Sequence, residues 1–238
     1  MGPAPRRRRS ARELAAVLDH TCLAPGATSV DIDRLCDEAR EHGFASVCVN
    51  GVHVRRCVPR LEGAAPRICA VVGFPLGASE TRVKSHEARL ALESGASELD
   101  MVMQVGALRS GEDALVQRDI EAVVSVARES NAPVHVIVKV ILETGLLGHD
   151  EIVRACRVAE SAGADFVKTS TGFGPRGASR EDVELLRSCV GSRLGIKAAG
   201  GIRSTEFALE LLEAGATRLG SSASVALVRG LESEASGR

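Results

Sequence analysis

The amino-acid sequence predicts an α/β protein: a single (β/α)8 TIM barrel with a short disordered N-terminal tail. The chain has 238 residues, near the ~250 that such a barrel commonly needs. Short apolar runs alternate with helical periodicity, and glycines end several helical segments, a pattern typical of parallel strands with crossover helices. Residues 1–10, MGPAPRRRRS, are expected to form the disordered tail, which leaves residues 11–238 for the barrel domain.

The apolar runs supply eight candidate strands, near residues 18–21, 46–49, 68–72, 99–103, 134–141, 166–169, 195–197 and 218–220. Helices are predicted at about residues 30–42, 80–94, 112–130, 150–162, 179–190 and 205–214. Capping residues such as Ser204 precede several helices, and Gly43, Gly95, Gly163 and Gly215 follow helices at the position where a left-handed turn ends them. A doubly wound open sheet is the alternative, but no G-x-G-x-x-G motif follows the first strand.

Composition and charge argue against several classes of protein. The formal net charge is −1, so no global basic field would attract nucleic acid. Trp and Tyr are absent, which argues against a base-stacking platform. No run reaches the ~18 apolar residues of a membrane helix, and no signal-peptide core is evident. We therefore expect a cytoplasmic protein with neither a nucleic-acid partner nor a membrane association.

The seven cysteines are expected to be reduced. Their number is odd, and they form neither a C-x-x-C pair nor a Cys/His cluster. Cysteines of this kind behave as small hydrophobic residues, and we expect no disulfide framework and no metal site.

Lysine is rare, and its positions are informative. The chain has 26 arginines but only four lysines, Lys84, Lys139, Lys168 and Lys197. The last three lie on candidate strands five, six and seven, and active sites of barrels lie at the carboxyl ends of the strands. Arginine cannot replace a lysine whose amine must lose its proton and attack a carbonyl. Lys84 lies in the first turn or two of a helix and is expected to face solvent. The six histidines, His20 among them, share no spacing and are interpreted as surface or strand-edge residues.

The three strand lysines are expected to converge at one mouth of the barrel. Like charges and burial both disfavour an ammonium group, so we expect one lysine to have its pKa lowered from ~10.4 to about 7–8. A free amine is the nucleophile that a Schiff base requires. Asp100 is expected to act as general acid and base, as a countercharge, or as both. From the residues alone, Lys168 and Lys197 cannot be ranked as the nucleophile.

Glycine-rich loops follow the last strands. Gly200-Gly201 follows strand seven, Gly220-Ser221-Ser222 follows strand eight and opens a short helix, and Thr171-Gly172 follows strand six. Barrels often bind phosphate with the loops after strands seven and eight, because glycine lets backbone N–H groups approach an anion. Together with the lysines, these loops indicate a Schiff-base lyase for a small phosphosugar. Such a lyase needs no metal, because the iminium accepts the electrons.

These segments resemble the deoxyribose-phosphate aldolases over about residues 13–228. The resemblance is carried by LDHTCLAP, ASVCVN, VVGFPLGASETRVKSHEA, ELDMVMQVGAL, VIVKVILETGLL, ADFVKTSTGF, IKAAGGIRS and RLGSSASV. It implies a class I aldolase that cleaves 2-deoxy-D-ribose 5-phosphate reversibly to D-glyceraldehyde 3-phosphate and acetaldehyde. It also implies that no cofactor is needed, and it suggests a homodimer.

The resemblance assigns roles to individual residues. It makes Lys168 of KTSTG the Schiff-base residue and Lys197 of KAAGG the neighbouring cation that favours its free amine. Asp100 matches the acid and base that works with a bound water, and Lys139 matches a lysine of the same polar network. The phosphate-loop positions match Gly172, Gly200, Gly201, Gly220, Ser221 and Ser222. Positions that line the pocket match Asp19, Cys48, Phe74 and Thr171.

The chain also departs from the family pattern. Phe173 stands where some members have a lysine that reaches the phosphate, and Gln104 replaces a usual Asn. Anion binding is then expected to depend on backbone dipoles and Arg203. The chain has no Tyr to serve as the C-terminal proton relay of some members, so proton transfer is expected to use Asp100, Lys197 and water.

Two other interpretations remain. Another Schiff-base phosphosugar aldolase, one acting on a keto acid, would need a cation for the substrate carboxylate, and no arginine stands out within the strands. A non-catalytic phosphometabolite-binding barrel would bind without turnover and tolerate Lys168→Arg. The joint presence of Lys139, Lys168, Lys197 and Asp100 disfavours that binding protein.

Overall fold

The computed structural model describes residues 9–236, and eight parallel strands close into a barrel. The strands are β1 (Leu18–Cys22), β2 (Ser46–Val49), β3 (Arg67–Val72), β4 (Glu98–Val102), β5 (Ile137–Ile141), β6 (Phe166–Lys168), β7 (Gly195–Ala199) and β8 (Arg218–Ser221). Each strand pairs with the next strand in the chain, and β8 pairs with β1. The predicted (β/α)8 barrel is confirmed, and the open sheet is excluded.

Helices surround this barrel. Within the described residues they are α1 (Ala11–Ala15), α2 (Ser29–His42), α3 (Val54–Leu61), α4 (Thr81–Glu93), α5 (Val105–Arg109), α6 (Asp113–Glu129), α7 (His149–Ser161), α8 (Arg180–Val190), α9 (Thr205–Ala214) and α10 (Ser224–Ser236). The six predicted helices are present. The unpredicted helices α1, α3 and α5 are too short for periodicity to be detected, and α3 also contains Pro59.

The helix ends follow the expected chemistry. Ser204 caps α9, because its side chain accepts a hydrogen bond from the N–H of Phe207 at 3.2 Å. The glycines that were predicted to end helices, at positions 43, 95, 163 and 215, all have positive φ, between 66° and 121°. Glycine adopts this conformation without the steric cost that a Cβ imposes, so each chain segment can turn into the next strand.

Strand side chains divide between two apolar regions. Outward-facing residues such as Val47, Leu99 and Val138 pack beneath the helices in the main core. A small separate cluster of Cys48, Cys69 and Val71 lies in the barrel lumen. Successive residues of a strand face opposite sides, so charged residues that alternate with the outer core residues must point into the lumen.

Two sequence-based expectations about surface residues are wrong. Lys84 is fully buried between α4 and α6, where it donates to Asp119 Oδ2 at 2.5 Å and to the carbonyl of Val102 at 2.9 Å. His20, interpreted with the other histidines as a surface or strand-edge residue, is buried with its Nε2 at 2.6 Å from a carboxylate oxygen of Glu38. Both partners are distant in sequence, so local periodicity does not reveal them.

The predicted disordered tail lies outside the described residues, apart from Arg9 and Ser10. Ser10 caps α1 by accepting from the N–H of Glu13 at 3.2 Å. Over residues 9–236, no helix combines the length and the apolar character needed to cross a bilayer. The seven cysteines are free thiols.

Candidate active site

A cluster of buried charges fills the barrel lumen. It is formed by side chains from six of the eight strands. The cations are Lys139, Lys168, Lys197 and Arg218, and the carboxylates are Asp19, Glu98 and Asp100. When all of them are ionised, these four cations and three carboxylates leave one excess positive charge. Loss of a single proton therefore neutralises these seven side chains, and the partly exposed Arg67 lies 4.0 Å from Glu98 at their edge.

Asp100 lies at the centre of this cluster. Its Oδ2 accepts hydrogen bonds from Lys168 Nζ and Lys197 Nζ, both at 2.7 Å, and its Oδ1 accepts from Lys139 Nζ at 2.9 Å. Burial by itself raises the pKa of Asp100, but the three ammonium groups together hold it well below its usual value. Asp100 is thus a carboxylate that joins all three lumen lysines.

Lys139 and Lys197 have raised pKa values, so neither is the one lysine expected to have a lowered pKa. Burial lowers the pKa of each amine, but nearby carboxylates raise it by more. Lys139 donates to Glu98 at 2.6 Å as well as to Asp100, and Lys197 is ion-paired with both Asp19 and Asp100. Asp19 and Glu98, which the argument from sequence did not include, are among the carboxylates that raise these two pKa values.

Lys168 differs from the other lumen lysines in its contacts and its access. Among the described residues, its Nζ forms an ion pair with a single carboxylate, that of Asp100. Lys139 and Lys197 each have two or more such partners. Lys168 also lines an open pocket. Removing its proton breaks one ion pair, and the resulting amine faces the space where a substrate can bind.

The pocket above Lys168 has a volume of about 410 Å³ and lies at the carboxyl ends of the strands. Its walls are the loops after β1, β6, β7 and β8. All the residues predicted for the phosphate loops line it, namely Gly172, Gly200, Gly201, Gly220, Ser221 and Ser222. The amine and the glycine-rich loops therefore share one cavity.

Two glycines allow close packing in this pocket. Gly200 has a φ of 92°, and a Cβ there would lie 2.9 Å from the Cα of Gly177 in the opposite loop. A Cβ at Gly220 would lie 3.1 Å from Cε of Lys197, whose side chain passes beneath it. The first glycine lets two loops meet, and the second leaves room for a lumen lysine.

The end of the pocket distant from Lys168 offers an anion few side-chain donors. The hydroxyl of Ser221 donates to the carbonyl of Ile202 at 2.7 Å and accepts from the N–H of Ala223 at 2.9 Å, so it holds the loop itself. Arg203 lines the pocket, is exposed, and has no ion-pair partner among residues 9–236. It is therefore a cation available to a ligand.

Three residues expected to line the pocket lie elsewhere. Asp19 is fully buried and Cys48 nearly so, and both lie in the lumen beneath the pocket. The Phe74 ring packs edge-on against that of Phe173, with centroids 5.4 Å apart, and lines a neighbouring cavity. Thr171 does line the pocket, but its N–H and O–H both donate to Glu143.

Sequence reasoning missed Glu98 and Arg218. Arg218 donates to Asp19 at 2.6 Å and to both oxygens of Glu98, at the base of the cluster. Glu98 lies two residues before Asp100 and hence on the same face of β4, a signal that predicts a lumen position. Arg218 is the first residue of β8, a strand arginine that sequence reasoning did not single out. Its guanidinium pairs with carboxylates below the pocket.

Within residues 9–236, one group of side chains has donor atoms close enough together to hold a metal ion. Cys48 Sγ, Cys69 Sγ and a carboxylate oxygen of Asp100 lie within 4.8 Å of one another. The same carboxylate accepts from three ammonium groups, and Lys139 Nζ is 3.5 Å from Cys69 Sγ. These cations repel a metal ion, so the donor set does not fit a metal site well.

Known proteins are similar to this chain in both sequence and fold. A profile of the DeoC/LacD family aldolases matches residues 14–231. The deoxyribose-phosphate aldolase of Thermococcus gammatolerans is 53% identical over 220 residues, which cover 92% of this chain and 96% of that protein. The deoxyribose-phosphate aldolase of Aciduliprofundum boonei is 51% identical over 222 residues, which cover 93% and 98%.

Solved structures agree with the sequence relatives. A putative deoxyribose-phosphate aldolase from Coccidioides immitis superposes with a TM-score of 0.90 at 42% identity, covering 98% of this chain and 92% of that one. A tetrameric deoxyribose phosphate aldolase from Aeropyrum pernix superposes with a TM-score of 0.87 at 35% identity, covering 94% and 93%. The chain therefore belongs to the DeoC/LacD family of aldolases.

Proposed function

We propose that this chain cleaves 2-deoxy-D-ribose 5-phosphate reversibly to D-glyceraldehyde 3-phosphate and acetaldehyde, through a Schiff base on Lys168. One observation carries the assignment of the nucleophile. Lys168 is the lumen lysine that both contacts Asp100 and lines the pocket with the glycine-rich loops. The names of the relatives support the choice of substrate.

The first stage is formation of the iminium. The unprotonated amine of Lys168 attacks the C1 carbonyl of the open-chain sugar, and a carbinolamine forms. Asp100, 2.7 Å from Lys168 Nζ, is placed to move protons through a water as the carbinolamine loses water. Lys197 donates to the same Oδ2 of Asp100, so its positive charge favours the carboxylate form between transfers.

The second stage breaks the bond between C2 and C3. The C3 hydroxyl loses its proton, the C3–O bond becomes a carbonyl, and the electron pair of the C2–C3 bond moves towards the iminium nitrogen. D-Glyceraldehyde 3-phosphate leaves and an enamine remains on Lys168. Protonation at C2 restores a two-carbon iminium, and attack by water releases acetaldehyde and the amine. Asp100 and Lys197 supply the acid and base groups, since the chain has no Tyr.

The phosphate is expected to bind at the opposite end of the same pocket. Gly172, Gly200 and Gly201 have positive φ and expose backbone to the cavity. Close approach of backbone N–H groups is the usual way in which such loops hold an anion. Arg203 supplies a cation at this end, where Phe173 stands in place of a family lysine.

Borohydride trapping with acetaldehyde, followed by peptide mass mapping, tests the proposal. We expect a reduced two-carbon adduct on the peptide that contains Lys168, and none when acetaldehyde is omitted. An adduct on Lys197 would keep the aldolase and exchange the two lysine roles. Absence of an adduct on the folded protein would contradict the Schiff base and favour the binding protein. Cleavage of deoxyribose 5-phosphate is the companion assay, and it separates this aldolase from one for another phosphosugar.

A cytoplasmic location and a homodimer also remain proposals. Exposed apolar side chains, including Val52, Leu76, Val83 and Leu90, surround a cavity of about 880 Å³ beside α4. An apolar surface of this kind favours association. Light scattering on the purified chain tests the assembly, and a monomeric mass at micromolar concentration would contradict it.

A further inference from the structure

Glu143, immediately after β5, has an unusual backbone. It is the sole non-glycine residue within 9–236 with a positive φ, at 56°. Residues with a side chain rarely adopt this conformation, and they hold it where the surrounding structure fixes them. Glu143 is also buried, although a carboxylate is seldom buried without partners. Its side chain therefore has a specific environment.

That environment is the loop between β6 and α8. The carboxylate accepts the N–H of Thr171 at 3.2 Å and also the Thr171 hydroxyl proton. The Thr171 oxygen in turn accepts the N–H of Phe173 at 3.0 Å. A Cβ at Gly174 would lie 2.8 Å from Oε1 of Glu143, so this glycine lets the loop close over the carboxylate.

A second link joins the same two loops. Arg176 donates to Asp182 and, at 3.2 Å, to the carbonyl of Thr144, the residue after Glu143. The Thr144 hydroxyl donates to Asp182 at 2.8 Å. The segment after β5 is thereby fixed against the segment after β6 at both Glu143 and Thr144.

The place of this link in the chain gives it a functional meaning. Thr171 stands three residues after Lys168 and directly before Gly172, and both of those residues line the pocket. Both hydrogen-bond donors of Thr171 face Glu143, so the side chain shapes the loop and does not donate to a ligand. The Glu143–Thr171 contact lies between the amine and the phosphate-binding glycine.

We propose that Glu143 is a positioning residue that sets the separation between the Lys168 amine and the phosphate-binding loop, and thereby the preference for a phosphorylated substrate. This inference rests on the proposed function. Binding energy from a remote phosphate is useful in catalysis only when it places the reacting carbon at the nucleophile. A sugar without phosphate does not use the loop, and its turnover is insensitive to the loop position.

The test compares deoxyribose 5-phosphate with 2-deoxyribose as substrates. Glu143→Gly removes the carboxylate without imposing a strained backbone, since glycine adopts positive φ freely. We expect kcat/KM for the phosphate ester to fall about 10²-fold, as for a misplaced substrate, and kcat/KM for the plain sugar to stay near wild type. Glu143→Gln keeps one acceptor for the Thr171 N–H, so we expect a smaller fall in kcat/KM for the phosphate ester than in Glu143→Gly.

Further variants keep the test independent of folding. Thr171→Val removes the hydroxyl at constant shape and should show a smaller selective fall in kcat/KM for the phosphate ester. Thr171→Ser keeps the hydroxyl and should retain kcat/KM near wild type. Glu184→Gln is the matched control, because Glu184 is exposed and pairs with Arg180 on α8. This variant should leave kcat/KM for both substrates unchanged. Thermal unfolding verifies that each variant is folded.

The outcomes are distinguishable. An equal fall for both substrates, or no fall for either, would overturn the positioning role while leaving the aldolase intact. A wild-type protein that does not cleave deoxyribose 5-phosphate would refute the proposed function itself, and this inference with it. A selective loss in Glu143→Gly and Thr171→Val that is absent in Thr171→Ser would support both the positioning role and the proposed function.

Discussion

Two groups of buried lysines in this molecule behave in opposite ways. Lys84, between α4 and α6, has Asp119 as its carboxylate partner, and burial lowers its pKa by more than Asp119 raises it. Lys139 and Lys197, in the lumen, are equally buried, but several carboxylates raise their pKa values. The direction of the shift depends on the number of carboxylates nearby, since the loss of water is common to both groups.

Burial of a lysine is therefore no sign of catalysis in itself. The pair of Lys84 and Asp119 is balanced in charge and closed to solvent. The lumen cluster has one excess cation, and its least paired member, Lys168, lines a pocket. The difference indicates that charge excess and access together distinguish a reactive amine from a structural one.

The largest expected effect is at Lys168. Arginine retains the positive charge beside Asp100 but cannot lose a proton, so it cannot form a Schiff base. We expect Lys168→Arg to lower kcat roughly 10³-fold or more, as loss of a nucleophile commonly does. A coupled assay for D-glyceraldehyde 3-phosphate measures the loss, and activity near wild type would contradict the nucleophile assignment.

The corresponding substitution of Lys84, the buried lysine outside the lumen, is expected to affect stability and not activity. Lys84→Met leaves Asp119 buried without its cation, which is expected to lower the free energy of unfolding by about 3–5 kcal/mol. Urea denaturation measures this, and kcat of the folded enzyme should stay near wild type. The double variant Lys84→Met/Asp119→Leu should recover much of the stability. A large fall in kcat with little loss of stability would place Lys84 in the catalytic group.

Lys197→Met tests the excess charge. Without Lys197, the lumen has three cations for three carboxylates, so loss of a proton from Lys168 no longer relieves an excess. We expect trapping of acetaldehyde by borohydride to require a higher pH in the variant than in wild type. The pH profile of the trapping rate is the measurement. An unshifted profile would remove this role from Lys197.

The smallest expected effect is that the contributions of Lys84 and Lys197 to folding stability depend differently on pH in the alkaline range. Lys84 has a folded pKa below its usual 10.5, so its ionised form opposes folding at lower pH, and that penalty fades as the pH rises towards 10.5. Lys197 has a raised folded pKa, so its contribution is fully present below 10.5 and is lost only as the pH rises through the folded value.

Urea denaturation below pH 10.5 measures this difference. The stability advantage of wild type over Lys84→Met should grow as the pH approaches 10.5. The advantage of Lys168→Arg over Lys168→Arg/Lys197→Met should stay constant across the same range, because the arginine does not titrate there. Parallel behaviour of the two comparisons would refute the contrast between the two groups.

Local patterns were enough to predict the architecture. Alternating apolar runs, capping residues and glycines with positive φ determine strands and helices over short distances, so the barrel and its six main helices follow from the sequence. The convergence of Lys139, Lys168, Lys197 and Asp100 also follows, because barrel topology brings the inward-facing residues of β4 to β7 into one lumen. The resemblance to a family then separated the role of Lys168 from that of Lys197.

The electrostatics depended on contacts between residues far apart in the chain. Asp19 reaches Lys197 and Arg218 across the seam between β1 and β8, and Glu98 meets Arg218 across the lumen. These contacts help to raise the pKa values of Lys139 and Lys197, since the nearby carboxylates together outweigh burial and repulsion between cations. Lys84 was misplaced for the same reason, because Asp119 lies three elements later in the chain.

By itself the sequence determined the chemistry available to this protein: lysines and carboxylates on the strands, and glycines in the loops that follow them. Only the tertiary structure decided which lysine is left with one partner, which carboxylates neutralise the others, and how Glu143 holds the loop beside Lys168. The physical reason is that backbone propensities act over a few residues. Burial, charge balance and loop-to-loop hydrogen bonds depend on side chains that the chain brings together only when it folds.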